Sequence, residues 1–157
     1  HVRPFDATYR PDHTFDLVVL LDVLEHIRDA EAAVSHAASL MEEGGTLLVT
    51  VPAFRSLWTT HDELNLHVTR YTREELVDQL SIGFEVDTVR YFFRWIHPVK
   101  LVQAAVEAVR RPEPRPPTVP WAPVNAVLYG LSRAEEVLLR RVPLAMGSSL
   151  IAVATKR

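Results

Sequence analysis

The chain has 157 residues, no cysteine, a formal net charge of −3 and a sequence pI near 6.2. That length fits one domain with a substantial core, and the charge argues against nucleic acid, whose binders show a basic stripe or face. The lack of thiols excludes a disulfide scaffold and a thiolate metal site and suits a reducing compartment, so the cytoplasm is the expected location. No apolar run approaches the roughly 20 residues of a membrane-spanning helix, and no charged leader marks secretion.

The first element is the continuous apolar run from Asp16 to Leu21, the pattern of a strand covered on both faces. Asp29 can cap the next helix, in which Ala30, Ala33, Val34, Ala37, Ala38 and Met41 share one face; Gly44 and Gly45 are expected to stop it. Thr46 to Val51 reads as a second strand, ended by Pro52, so 16–51 forms a strand-helix-strand unit with a right-handed crossover.

Ala53 to Tyr71 reads as a polar, aromatic-bearing loop, too long for a plain connector. Thr72 with Glu75 is a capping-box pattern opening a short helix through Leu76, Val77 and Leu80, closed at Gly83, and Phe84 to Phe93 reads as a strand. Pro98 suits the start of a helix with the stripe Leu101, Val102, Ala105, Val106 and Val109. Pro112 to Pro123 holds six prolines in twelve residues and reads as an extended linker. A second amphipathic helix, about Val124 to Val142, and a last strand, Ser149 to Thr155, complete the chain. Residues 94–147 thus form a helical insertion or cap on a single domain covering 1–157.

In open α/β sheets ligands sit beyond the carboxyl ends of the parallel strands. Asp22, Glu25 and His26 follow the first strand there and are the leading polar candidates. His26 can act as a proton acceptor, since imidazole titrates near neutrality; equally, Glu25 and His26 can simply begin a helix. In the loop, Trp58, His61, His67 and Tyr71 are candidate substrate contacts. Its acids and histidines lack the His-Glu-x-x-His spacing of a zinc helix, and no metal site is assigned.

The segment Phe15 to Ile27, with Asp22-Val23-Leu24-Glu25-His26 after the strand, resembles class I S-adenosylmethionine-dependent methyltransferases of the type 11/12-like group. Leu40 to Pro52, with its Gly44-Gly45 turn, is similar to that family's helix, turn and fifth strand, and Gly83-Phe84-Glu85-Val86 to the entry of its sixth. Ser148 to Lys156 would be its seventh strand, antiparallel between the fifth and sixth. Phe5-Asp6-Ala7 looks like the acidic-small pair after the third strand, where the carboxylate and a neighbouring amide meet the adenine.

The resemblance implies a Rossmann-like, doubly wound α/β fold, a mostly parallel sheet with an antiparallel last strand, and S-adenosylmethionine as cofactor. It implies methyl transfer to a small or lipid-like acceptor. Asp6, Ala7, Leu21, Asp22, Val23 and His26 would contact the cofactor, with His26, His61 and Tyr71 as catalytic candidates. Asp22, Glu25 and His26 also resemble the spacing in quinone-biosynthesis methyltransferases that use a divalent ion. The family's glycine-rich turn after the first strand and the acid ending the second have no counterpart. The chain is therefore expected to be a C-terminal piece of a longer enzyme, the alternative being a non-catalytic binding or assembly module. A sheet lacking those strands would expose an apolar edge for an oligomer partner to cover. The amphipathic helices flanking the proline linker could cover the active site, pack as ordinary core or rest on a membrane surface, with Lys100, Arg110, Arg111, Arg115, Arg133, Arg140 and Arg141 as cations.

Overall fold

The computed structural model describes residues 8–110, 112–114, 116, 118–139, 142 and 144–157. Strand β1 (Phe15–Leu21) leads through a 3₁₀ turn at Leu24–His26 to helix α1 (Ala30–Ser39), and strand β2 (Met41–Pro52) follows. After it come a 3₁₀ turn at Arg55–Leu57, helices α2 (Thr60–Leu64) and α3 (Arg73–Leu80) and strand β3 (Phe84–Phe92). Helices α4 (His97–Arg110) and α5 (Ala122–Leu139) precede the last strand, β4 (Ser149–Lys156). The sheet order is β1-β2-β4-β3: β1 lies parallel to β2, and β4 runs antiparallel between β2 and β3. This is the expected open, mixed α/β sheet with its reversed last strand.

Register explains the core. Leu20, Val49, Ala152 and Val89 pair across the four strands, as do Val18, Leu47, Ala154 and Val86, on the face that α1 and α3 cover with Val34, Leu76 and Leu80. The opposite face is not equally covered among the described residues: Leu17, Val19 and Leu21 are 43–56% exposed. The expectation that β1 is covered on both faces is therefore corrected. A continuous apolar run reports a strand's chemistry, but which layers reach it depends on the rest of the assembly.

The boundary between α1 and β2 also differs from the reading by periodicity. Asp29 caps α1 as expected, its Oδ1 accepting from the Ala32 amide at 3.0 Å. The helix stops at Ser39 rather than at Gly44, because the Leu40 carbonyl accepts from the Phe15 amide at 2.9 Å and Met41 already pairs with Phe15. An interstrand bond thus captures the chain before the glycines. Those residues shape a bulge between the Met41 and Thr46 pairings, in which Gly44 takes φ +78°, a conformation other residues adopt at a cost.

The 53–71 segment is likewise not structureless: it contains the Arg55–Leu57 turn and α2, whose N-terminus is a capping box between Thr59 and Asp62. The Thr72/Glu75 box opens α3 as its sequence predicts. Within the proline-rich linker the described residues up to Trp121 form no regular structure, and Pro123 falls inside α5.

Candidate functional site

The parallel strands all turn away from the sheet through residues of unusual backbone. Asp22, one residue beyond β1, has φ 51°; Phe54, two beyond β2, has φ 57°; Phe93, one beyond β3, has φ 54°. A left-handed conformation at a non-glycine residue costs about 1–2 kcal/mol and persists only where the surroundings impose it. Such residues gather at ligand sites, and here they mark the carboxyl edge of the sheet.

At β1 the turn is fixed by Thr50 on β2. Its carbonyl and Oγ1 accept from the Asp22 amide at 3.0 and 3.1 Å, and its hydroxyl donates to Asp22 Oδ1 at 3.2 Å. Asp22 and Leu21 remain exposed, and Val23 is half-buried. The following 3₁₀ turn drives Leu24 and Glu25 inward, both with no accessible surface, and leaves His26 exposed. Among the described residues, neither carboxylate oxygen of Glu25 has a side-chain or loop hydrogen-bond partner. Burial pushes its carboxyl up to about 7, helped by nearby Asp22 and Asp62 and opposed by its own backbone amide and Arg70.

The 53–71 segment folds over this turn through backbone bonds. The Val68 amide donates to the Glu25 carbonyl at 2.7 Å, Tyr71 Oη to the Leu24 carbonyl at 3.3 Å, and the Tyr71 amide to the Pro52 carbonyl at 2.9 Å. At its centre Asp62 is fully buried and accepts from Arg70 twice, Nε at 2.7 Å and Nη2 at 3.0 Å, and from the Thr59 amide at 2.9 Å. Burial opposes ionisation of Asp62, but the bonds from Arg70 and Thr59 outweigh it and hold the carboxyl below the usual range. Arg70, equally buried, spends Nη1 on the Ala53 carbonyl at 3.0 Å.

His67 Nδ1 lies 2.8 Å from Asp62 Oδ1. Burial lowers the His67 pKa from 6.5 despite that carboxylate, so the ring is neutral at pH 7, with Nδ1–H donated to Asp62 and Nε2 left as a lone-pair donor. His67 meets His26 edge to face, ring centroids 4.8 Å apart. Glu25, His26 and His67 each offer a ligand atom within 4.8 Å of the others. Two imidazoles and a carboxylate at that spacing can pass a proton or surround a cation, and an Asp-oriented imidazole serves either purpose.

A sequence model of a methyltransferase domain matches residues 2–89, more than half of the chain. The chain belongs to the methyltransferase domain family. Its fold recurs in solved methyltransferases at low identity. A possible histamine N-methyltransferase from Thermotoga maritima is similar at 19% identity and TM-score 0.52, over 93% of this chain and 57% of that one. A SAM-dependent methyltransferase from Archaeoglobus fulgidus is similar at 18% and 0.53, over 93% and 61%. The 4+2 cyclase SpnF is similar at 20% and 0.52, over 99% and 54%, so the same fold carries a differently named chemistry there. This methyltransferase-family chain thus spans 54–61% of the length of these neighbours. No curated protein sequence matches it closely enough to count as a relative.

Of the residues singled out by sequence, Leu21, Asp22, Val23 and His26 of the methyltransferase chain stand together at the carboxyl end of β1, while Asp6 and Ala7 lie outside the described residues. Tyr71 is buried beside Glu25, its phenol pushed up to about 12 by burial and by that carboxyl. It is spent on the Leu24 carbonyl. His61 sits on α2 with Nε2 2.9 Å from Asn65 Nδ2, and no contact among the described residues joins it to the cluster. Trp58 borders a separate groove of about 730 Å³ against α4. Sequence reasoning named His67 as a contact but gave no role to Asp62 and Arg70, which stand behind it. The Thr59-x-x-Asp62 capping pattern was the readable clue to a helix there.

The chemistry of the donor set also fits S-adenosylmethionine in part. Leu21 and Val23 offer apolar contact, and the exposed Asp22 carboxylate complements a cationic ligand or a ribose hydroxyl.

Proposed function

We propose that this methyltransferase domain, within its whole protein, moves a methyl group from S-adenosylmethionine to a small or lipid-like acceptor, with the Asp62–His67 pair taking the acceptor's proton. When bound, the cofactor supplies a methyl carbon made electrophilic by its sulfonium. Displacement at such a carbon depends chiefly on alignment of the reactants. Asp22, Leu21, Val23 and His26 hold the cofactor side of the site. On the acceptor side, His67 Nε2 receives the proton released as the acceptor atom forms its new bond to carbon. Asp62, ionised and clamped by Arg70, keeps Nδ1–H directed at itself and stabilises the imidazolium that results.

The observation that carries this reading is the neutral, carboxylate-oriented His67 set against His26 one turn beyond the strand end that bears Asp22. The sequence leaves His26 open as proton acceptor or helix start; the buried carboxylate of Asp62 favours its neighbour His67 for the proton.

The test uses the full-length protein. Calorimetric titration with S-adenosylmethionine is expected to give binding that Asp22→Ala weakens about tenfold. Incorporation of labelled methyl from the cofactor into polar and lipid extracts of the source cells is expected to fall about 10²–10⁴-fold in His67→Gln with cofactor binding retained. Absence of cofactor binding refutes the reading. Binding without incorporation into either extract supports the non-catalytic module instead.

A further inference from the structure

Helices α4 and α5 are amphipathic, and both leave an apolar stripe in water. In α4 the groups facing the body are Ala104, Lys100 and Glu107, the last accepting from the Thr60 amide at 2.8 Å through Oε2. Val99, Val102, Val106 and Val109, spaced as one helical stripe, are 44–85% exposed. Helix α5 also leaves apolar side chains uncovered. Its inward groups are Leu128, Ser132, Glu135 and Leu139. Glu135 Oε2 accepts from the Arg94 and Trp95 amides at 2.7 and 3.2 Å, and Ser132 Oγ accepts from Trp95 Nε1 at 3.1 Å. Val124, Val127, Leu131 and Leu138 form a stripe that flanks this face, 45–72% exposed.

Apolar stripes left in water on two helices at once mark an interaction surface. Charge says what kind. Residues 94–147 carry eight Lys and Arg against four Glu, a net +4, while the remainder of the chain carries nine against sixteen, a net −7, in keeping with −3 overall. Two such cationic segments brought face to face, as in a second copy of the chain, repel one another; an anionic surface neutralises them. Trp121, just before α5, is exposed as well, and side chains with an apolar ring and a polar tip settle where lipid meets water. No described helix is long and apolar enough to cross a membrane, so the geometry of contact is a helix lying in the plane of the surface.

We infer that α4 and α5 form a docking surface for an anionic lipid bilayer, with the valine and leucine stripes entering the acyl boundary and the cationic excess of the segment drawn to the headgroups. Glu107 and Glu135 are anchored to the body by bonds from the Thr60 and Arg94 amides.

The experiment is co-sedimentation of the full-length protein with phosphatidylcholine vesicles, with and without phosphatidylglycerol, at low and high salt. Binding is expected to be at least roughly tenfold stronger with the anionic lipid and to weaken with salt. The paired substitution Val106→Glu with Leu131→Glu is expected to abolish it while leaving the melting temperature and cofactor binding unchanged, since both positions are already exposed. Failure to bind anionic vesicles, equal binding to neutral ones, or undiminished binding of the paired variant each overturns the inference. So does a dimer in light scattering that the paired variant dissolves, which would assign the stripes to a second copy.

Discussion

Glu25 provides the sharpest test of the buried cluster. Burial pushes its carboxyl up to about 7 in the folded chain, against 4.5 for the free side chain, and among the described residues it has no ion-pair or side-chain partner to offset that. Below pH 4.5 both folded and unfolded forms hold the proton and the group is neutral to stability. Between pH 4.5 and about 7 the unfolded chain releases its proton while the folded one retains it, so stability falls as pH rises, by about 1.4 kcal/mol for each pH unit. Above the folded value the loss is complete, at about 3 kcal/mol. Glu25→Gln keeps the shape and removes the ionisation. The variant is expected to match wild type at pH 4 and to exceed it by about 1–3 kcal/mol at pH 8, read as urea midpoints across that range. His67 contributes with the opposite sign: its lowered pKa favours the folded state above the free value of 6.5 and loses that advantage as pH falls. Comparing the variant with wild type at each pH largely cancels this second effect. Parallel stability curves would refute the reasoning and show that Glu25 is ionised and paired in the folded chain.

The Asp62–Arg70 pair is predicted to hold the loop onto the sheet. Asp62→Ala leaves a guanidinium buried without its carboxylate and is expected to cost about 3–5 kcal/mol in chemical denaturation, whereas Asp62→Leu with Arg70→Met is expected to cost much less; equal losses in both variants would deny the pairing its role. Gly147 lies against β3, where a Cβ would stand 2.6 Å from the Phe92 carbonyl oxygen and 2.9 Å from Tyr91 Cβ. Gly147→Ala is expected to lower stability by about 1–3 kcal/mol, and an unchanged melting temperature would mean that the approach relaxes freely.

Local chemistry was legible in the sequence. The apolar run after Phe15, the Asp29 and Thr72 caps, the Gly83-Phe84 strand entry and the reversed last strand all appear where composition, periodicity and resemblance put them, because each depends on neighbours within a few residues or on a whole-family pattern. Asp22, Glu25 and His26 likewise stand just after a parallel strand, a position read directly from the chain order. Long-range partners decided the rest. Helix α1 ends early because the Phe15 amide, distant in sequence, takes the Leu40 carbonyl. Glu25 and His26 are adjacent in sequence, yet one is sealed from solvent and the other is exposed, which only the 3₁₀ turn and the docked loop determine. The link from Asp62 to His67 and Arg70 depends on a loop closing over the sheet edge. The orientation of α4 inverts the simplest expectation, since periodicity locates an apolar stripe but carries no information about which side of it meets water.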